Sequence, residues 1–385
     1  MYSLLRYLVL SATLLAPLAA SAQESKKEDG LAKVLKPFVD QKFLAGAVVL
    51  VADKEKIVDV ETVGYADVED NTLMGNDTLF WIASMSKPIT AAALMLLVDE
   101  GKLKLDDPID KYLPEFKDLW LTVEHGKDKM TLKRPGKMPT IRQCLSHTSG
   151  MPFKSALEQP TLDHVVLRDA VRSYAITPLV SEPGTKYLYS NAGINTAGRI
   201  IEVVSGMPFE TFLEKRLTAP LEMKDTTFFP NEQQVKRLAK SYKPNMAKTG
   251  LESQKITFLT YPLTDKNRQP MPGGGLFSTA TDCGHFCQML LNDGKYKGKK
   301  FLSEEAVREL SKRQTPESVK ESYGLGFAIG GDTFGHGGAY ATNMSIDRKR
   351  GLILVYMVQH NGFPGNGGQA QAAFRKAAEE KFKTK

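Results

Sequence analysis

The sequence predicts a mixed α/β fold of the α+β kind. An antiparallel sheet is expected from strands at both ends of the chain, flanked by helices, beside a mostly helical lobe. Three observations predict it: β-branched apolar runs lie near both termini, helical stretches dominate the middle, and no Pro/Ser-rich linker or repeat divides the 385 residues. The expected organisation is a signal peptide over 1–22 and one domain over 23–385. Its sheet lobe spans about 28–78 plus 315–385, and its helical lobe about 79–314. A cleft between the lobes is the default place for a site.

Taken in order, Arg6, the apolar core Leu8 to Leu18 and Ala20-Ser21-Ala22 before Gln23 read as an export signal with a small-residue cleavage site. The protein is therefore expected to be exported, periplasmic or secreted. That apolar run is too short to span a bilayer, and no later stretch approaches one. Leu31–Phe43 reads as an amphipathic helix, and Ala47–Ala52 and Ile57–Val63 as strands. Ile89–Val98 is apolar all round, which marks a buried central helix, with Gly101 as its stop. Further helices are expected at 141–147, 165–174, 192–204, 209–217, 281–291 and 304–311. Strands return at 324–329, 340–346 and 352–358, and a last helix covers about 369–382.

The formal charge of +7 falls to +6 without Arg6, mildly basic and mostly interspersed. No aromatic-interleaved basic groove appears, so nucleic acid is not an expected partner. The densest basic patch, Lys127 to Lys137, reads as a solvated hairpin or loop before it reads as a site for an anionic envelope polymer. It lies within a polar insertion, 115–138, that either lines the entrance of the site or stands apart from it. Cys144, Cys283 and Cys287 are too few for a disulfide framework; Cys283 and Cys287, at i and i+4 around His285, read as free buried thiols. No second paired motif supplies metal ligands, so neither metal nor cofactor is expected. Nothing in the sequence indicates an oligomeric state.

Chemistry concentrates in three short segments. Ser84 and Lys87 lie three residues apart at the mouth of the central helix, so their side chains share a face. A serine hydroxyl needs such a neighbouring base or cation to become a nucleophile. The bland alternative is a helix cap beside a solvated lysine. Tyr189-Ser190-Asn191 sits in a turn directly before a helix, where a packed aromatic and an N-cap are the bland readings. His336-Gly337-Gly338-Ala339 precedes a strand, and there an ordinary hairpin turn competes.

In this order the three segments resemble the serine β-lactamase and penicillin-binding-protein superfamily, whose nucleophile motif is Ser-x-x-Lys. The resemblance is nearest to class C β-lactamases, D-alanyl-D-alanine carboxypeptidases and related esterases, which carry Tyr-x-Asn. It extends through Phe80–Lys87, Ile141–Met151, Pro183–Asn191 and Pro272–Asp282. It implies Ser84 as acylated nucleophile, Lys87 as its partner and Tyr189 as base or leaving-group acid. Asn191 would orient substrate, and the Ser84 and Ala339 backbone N–H groups would form an oxyanion hole. Lys87 and Tyr189 both remain candidates for the base, because each ordinarily titrates near pH 10 and one must be depressed. His336, followed by Gly337 and Gly338, stands where many β-lactamases have Lys-Thr-Gly. A mostly neutral histidine there weakens recognition of anionic β-lactams. The resemblance thus implies a serine hydrolase of esters or D-alanyl peptides ahead of β-lactams, working on a small-molecule or peptidoglycan-type acyl substrate. A catalytically idle relative acting as a sensor or cell-wall-binding protein is the alternative. His147, in His-Thr-Ser-Gly, is expected to be structural.

Overall fold

The computed structural model describes residues 30–382, so the signal expected over 1–22 lies outside the described residues. Its centre is a seven-stranded antiparallel sheet in the order 328–330, 333–337, 343–347, 352–357, 46–52, 57–67 and 72–73. The two ends of the chain meet in the middle of this sheet. Gly46–Ala52 pairs with Leu352–Met357, running from Val48↔Met357 to Ala52↔Ile353. Every residue of Gly46–Ala52 is buried, because alternate side chains go to opposite faces and both faces are covered. Val48, Leu50 and Ala52 join Ile353, Val355 and Met357 against Cys283, Phe286, Cys287 and Leu290 of the helix Ala280–Leu291. Ala47, Val49 and Val51 join Leu352, Leu354 and Tyr356 against Leu31, Leu35 and the helix Ala370–Lys381.

The second lobe is built around Ser86–Asp99, which is buried from Ser86 to Leu97 as its unbroken apolar sequence requires. It packs on Asn191–Ser205, and both helices aim their N-termini at the junction with the sheet. Gly101 follows the central helix with φ +68, the left-handed stop that a residue without Cβ adopts freely. Cys144, Cys283 and Cys287 are free and buried. No described helix is long and apolar enough to cross a membrane.

Local departures from the expected elements have physical causes. Leu31–Phe43 is not one helix: Pro37 breaks it into a 3-10 turn, Leu31–Leu35, and a short α-helix, Lys36–Asp40. The helix expected over 209–217 is α-helical only at Phe209–Leu213 and continues as a π-turn, Glu214–Thr218. Of the strand expected over 324–329, only Ala328–Gly330 forms. The N–H groups of Gly324, Leu325 and Gly326 bond instead to the carbonyls of Phe327, Leu310 and Leu145. The strand expected from Tyr340 begins at Asn343, because Gly338 N–H bonds Thr342 O (2.7 Å) and Ala341 N–H bonds Gly338 O (3.0 Å), closing a tight turn. Within 115–138, Leu121–His125 and Met130–Lys133 form a two-stranded hairpin outside the main sheet.

Candidate active site

Ser84 lies in a 3-10 turn, Ala83–Met85, that leads into the central helix. The turn is anchored from several sides. Phe80–Trp81 pairs with Phe277–Ser278, Ile82 N–H bonds Leu276 O (3.0 Å), and the Trp81 indole N–H bonds Gly274 O (2.7 Å). Ser86 is not a side-chain cap. Its hydroxyl donates to Ala83 O (2.6 Å) and accepts from Leu276 N–H (3.1 Å). Ala83 itself is left-handed, φ 45, a conformation that costs a non-glycine residue about 1–3 kcal/mol and persists only where packing enforces it. Strain of this kind immediately before a candidate nucleophile fixes the direction in which Ser84 points.

Lys87 is fully buried, and its Nζ donates to Ser84 Oγ (3.1 Å), Asn191 Oδ1 (2.7 Å) and Gly273 O (2.5 Å). None of these acceptors is a carboxylate. Burial without a counter-charge lowers the lysine from its ordinary value near 10.5 to about 7. Asn191 is free for this contact because Ser190 is the cap. The Ser190 hydroxyl accepts from Gly193 N–H (3.0 Å) and donates to Pro152 O (2.6 Å), leaving Asn191 as the first helical residue. Asn191 Oδ1 stands 3.0 Å from where a Cβ at Gly273 would sit, so a side chain there would crowd the acceptor that converges with the Gly273 carbonyl on one amine.

The Tyr189 ring lies across the amine, 4.7 Å from Lys87 Nζ to its centroid, with Phe153 stacked on it at 6.4 Å. Burial raises the phenol to about 12, partly offset by its interaction with the Ser84 hydroxyl. Ser84, Lys87, Tyr189 and Asn191, drawn from two distant segments, therefore share one pocket.

The third segment arrives on a strand. His336 and Gly337 belong to Thr333–Gly337, and Ala339 lies exposed in the following turn. Gly338 presses against the Ser84 loop: a Cβ there would meet Thr342 Oγ1 at 2.1 Å and Ile82 O at 2.6 Å. This close approach brings the turn that carries Ala339 against Ile82, two residues before Ser84. His336 is buried, with both ring nitrogens engaged inside the protein, at Gly337 O (2.6 Å) and the Tyr323 hydroxyl (2.8 Å). Burial, with the Lys87 charge adding to it, lowers the ring to about 3. His147 is likewise held by Ser190 N–H (3.1 Å) and Tyr323 (3.3 Å), and burial above all keeps it neutral. Sequence reasoning missed Tyr323, which no motif marks, and the Gly273 carbonyl, which the run Pro272-Gly-Gly-Gly-Leu276 marks only as tight backbone. Among the described residues no group of three or more His, Cys, Asp or Glu side chains is placed to hold a metal ion.

A rigid hydroxyl, a buried amine and a phenol between a sheet edge and a helical lobe define the class of fold and site. Residues 31–378 match the Beta-lactamase family model, and the chain belongs to that family of β-lactamase-fold hydrolases. It is 27% identical to the esterase EstB of Burkholderia gladioli over 96% of this chain and 99% of that one. It is 32% identical to the uncharacterized protein MT1414 of Mycobacterium tuberculosis, over 86% and 90%. Among solved structures, EstCE1, a hydrolase with promiscuous acyltransferase activity, superposes with a TM-score of 0.76 at 24% identity. That match covers 93% of this chain and 99% of the other.

Proposed function

We propose that this protein is an exported serine hydrolase that acts through an acyl-Ser84 intermediate, on neutral esters or D-alanyl peptides in preference to β-lactams. The observation that carries the reading is the Lys87 environment. As a neutral amine, Lys87 keeps two N–H groups for Asn191 Oδ1 and Gly273 O and turns its lone pair toward Ser84 Oγ. With a value of about 7 the amine is well populated at neutral pH, so Lys87 takes the Ser84 proton as the hydroxyl attacks the acyl carbon. Tyr189, at about 12, stays protonated and serves as the acid that hands a proton to the leaving oxygen or nitrogen. The Ser84 and Ala339 backbone N–H groups receive the oxyanion, a role in which each donor is worth about 2.7–4 kcal/mol of barrier. Water then attacks the acyl-serine by the reverse proton route.

Substrate preference follows from charge. His336 stands where a family lysine would attract a carboxylate, yet it is neutral and bonded within the scaffold. A substrate that brings no anion loses nothing by this arrangement. The esterase relative supports the same direction. Export is part of the proposal and rests on the leader over 1–22. The test is incubation of folded protein with p-nitrophenyl acetate, nitrocefin and a fluorophosphonate probe. Ester turnover well above nitrocefin turnover, with labelling abolished in Ser84→Ala, is expected. Silence with all three, or labelling that survives Ser84→Ala, contradicts the reading.

A further inference from the structure

Behind the proposed nucleophile lies a buried chain of polar contacts that the acyl-transfer chemistry does not itself use. Ser190 N–H donates to His147 Nδ1 (3.1 Å), so the His147 proton sits on Nε2, facing the Tyr323 hydroxyl at 3.3 Å. At the other end, His336 Nδ1 lies 2.6 Å from Gly337 O, and a carbonyl only accepts, so that nitrogen bears the proton. His336 Nε2 is then bare and must accept from the Tyr323 hydroxyl, 2.8 Å away. The two backbone ends leave one consistent direction: Ser190 to His147 to Tyr323 to His336 to Gly337.

We propose that Tyr323 is a positioning residue of the acyl-transfer site, its hydroxyl bridging His147 and His336, whose backbone partners set opposite neutral tautomers, and so fixing the Gly337–Ala339 turn against the Ser84 loop. The proposal rests on the hydrolase reading above. A proton added to His336 Nε2 would point at an oxygen that already accepts from His147, leaving the phenolic hydrogen without an acceptor. The groups facing His336 give that proton no compensation. They are Lys87 from the central helix, Tyr189 from the segment before Asn191, His147 from beyond Leu145, and Tyr323, behind which Tyr187 packs on Tyr323. Among the described residues the one acid acting on this cluster is Glu321, which acts on Tyr187. Tyr323 thus offers His336 Nε2 a donor and no acceptor, so a second ring proton finds no partner there.

The experiment is ring-nitrogen NMR on histidine-labelled full-length mature protein, with His147 and His336 assigned by single substitution, together with ester kinetics of Tyr323→Phe. In the wild type two rings stay neutral between about pH 5 and 8, one protonated on Nε2 and the other on the rarer Nδ1. Tyr323→Phe is expected to leave the His336 proton on Nδ1, where Gly337 O holds it, to move the Nε2 resonance to that of an unbonded nitrogen, and to lower kcat roughly 10- to 100-fold, the scale of loss when a partner that orients a metal-bound histidine is removed, with KM little changed. Tyr187→Phe, which removes a neighbouring phenol outside the chain, is expected to leave the His336 Nε2 resonance in place. A wild-type His336 that titrates near its ordinary value, or that carries its proton on Nε2, overturns the proposal even if Tyr323→Phe fails to fold. An unchanged His336 Nε2 resonance with an unchanged kcat in a folded Tyr323→Phe overturns it as well. Opposite tautomers with an unreactive Ser84 overturn the hydrolase reading and, with it, the positioning role.

Discussion

Among the described residues two lysine or arginine side chains, Lys87 and Arg268, are buried, and they are treated in opposite ways. Arg268 is matched by Asp163: its Nε and a terminal nitrogen each lie 2.8 Å from the carboxylate, while the other terminal nitrogen donates to Leu263 O (2.8 Å) and Phe228 O (3.2 Å). Thr260 N–H satisfies the second carboxylate oxygen (2.8 Å). That pair is closed, charged and structural. Lys87, equally buried, has three acceptors and no carboxylate, so its charge is stabilised only partly and its proton is exchangeable near neutrality. A buried cation with a counter-charge keeps its proton; one without holds it loosely, as the proposed base requires.

Breaking each cation separates the two roles. Lys87→Met is expected to lower kcat/KM by roughly 10²- to 10⁴-fold, the usual worth of a positioned base. It is also expected to raise thermal stability, because the folded state no longer buries an uncompensated amine. Arg268→Met should do the reverse. Leaving Asp163 unpaired costs about 3–5 kcal/mol of unfolding free energy, read by urea titration, with activity per folded molecule little changed. A Lys87→Met protein that loses stability while keeping activity would erase the contrast.

Gly338→Ala tests the geometry without touching either cation. The added methyl meets Thr342 Oγ1 and Ile82 O, displacing Ala339 from the Ser84 loop. The expected loss is that of one oxyanion donor, on the order of 10²- to 10³-fold in kcat. Unaltered kcat would place the oxyanion elsewhere. The smallest effect belongs to the hairpin around Leu121–His125. Arg134 stacks on Trp120 at 4.1 Å and bonds Asp118 (3.0 Å) at the surface. Arg134→Ala should change stability by no more than about 1 kcal/mol and ester turnover not at all; a marked change in turnover would make that insertion part of the cleft entrance.

Much of this was legible in the sequence, for reasons that differ by region. The sheet could be read from both termini because Ala47–Ala52 and Leu352–Val358 are continuous apolar runs containing several β-branched residues, and such runs need cover on both faces. Ser84 and Lys87 could be paired because helical spacing is local. Tyr189 and Asn191 could be joined to them only through the family resemblance, since nothing local says which distant segments meet. The strand under His336 was not legible: Thr333–Gly337 is short and interrupted by glycines that serve close packing rather than β-propensity. Nor was the engagement of both His336 nitrogens, because it depends on Tyr323, a residue with no motif, held in a loop whose N–H groups bond to the helical lobe.

The most direct test of Lys87 as the base is the pH dependence of fluorophosphonate labelling at Ser84 under single-turnover conditions. Burial lowers the lysine, so the reactive amine is lost as pH falls and gained as it rises. The labelling rate should climb through one inflection near pH 7 and then stay level until the Tyr189 phenol ionises near 12. A rate that is flat across neutrality, or that rises only where an ordinary lysine loses its proton, would contradict the assignment of Lys87 as base.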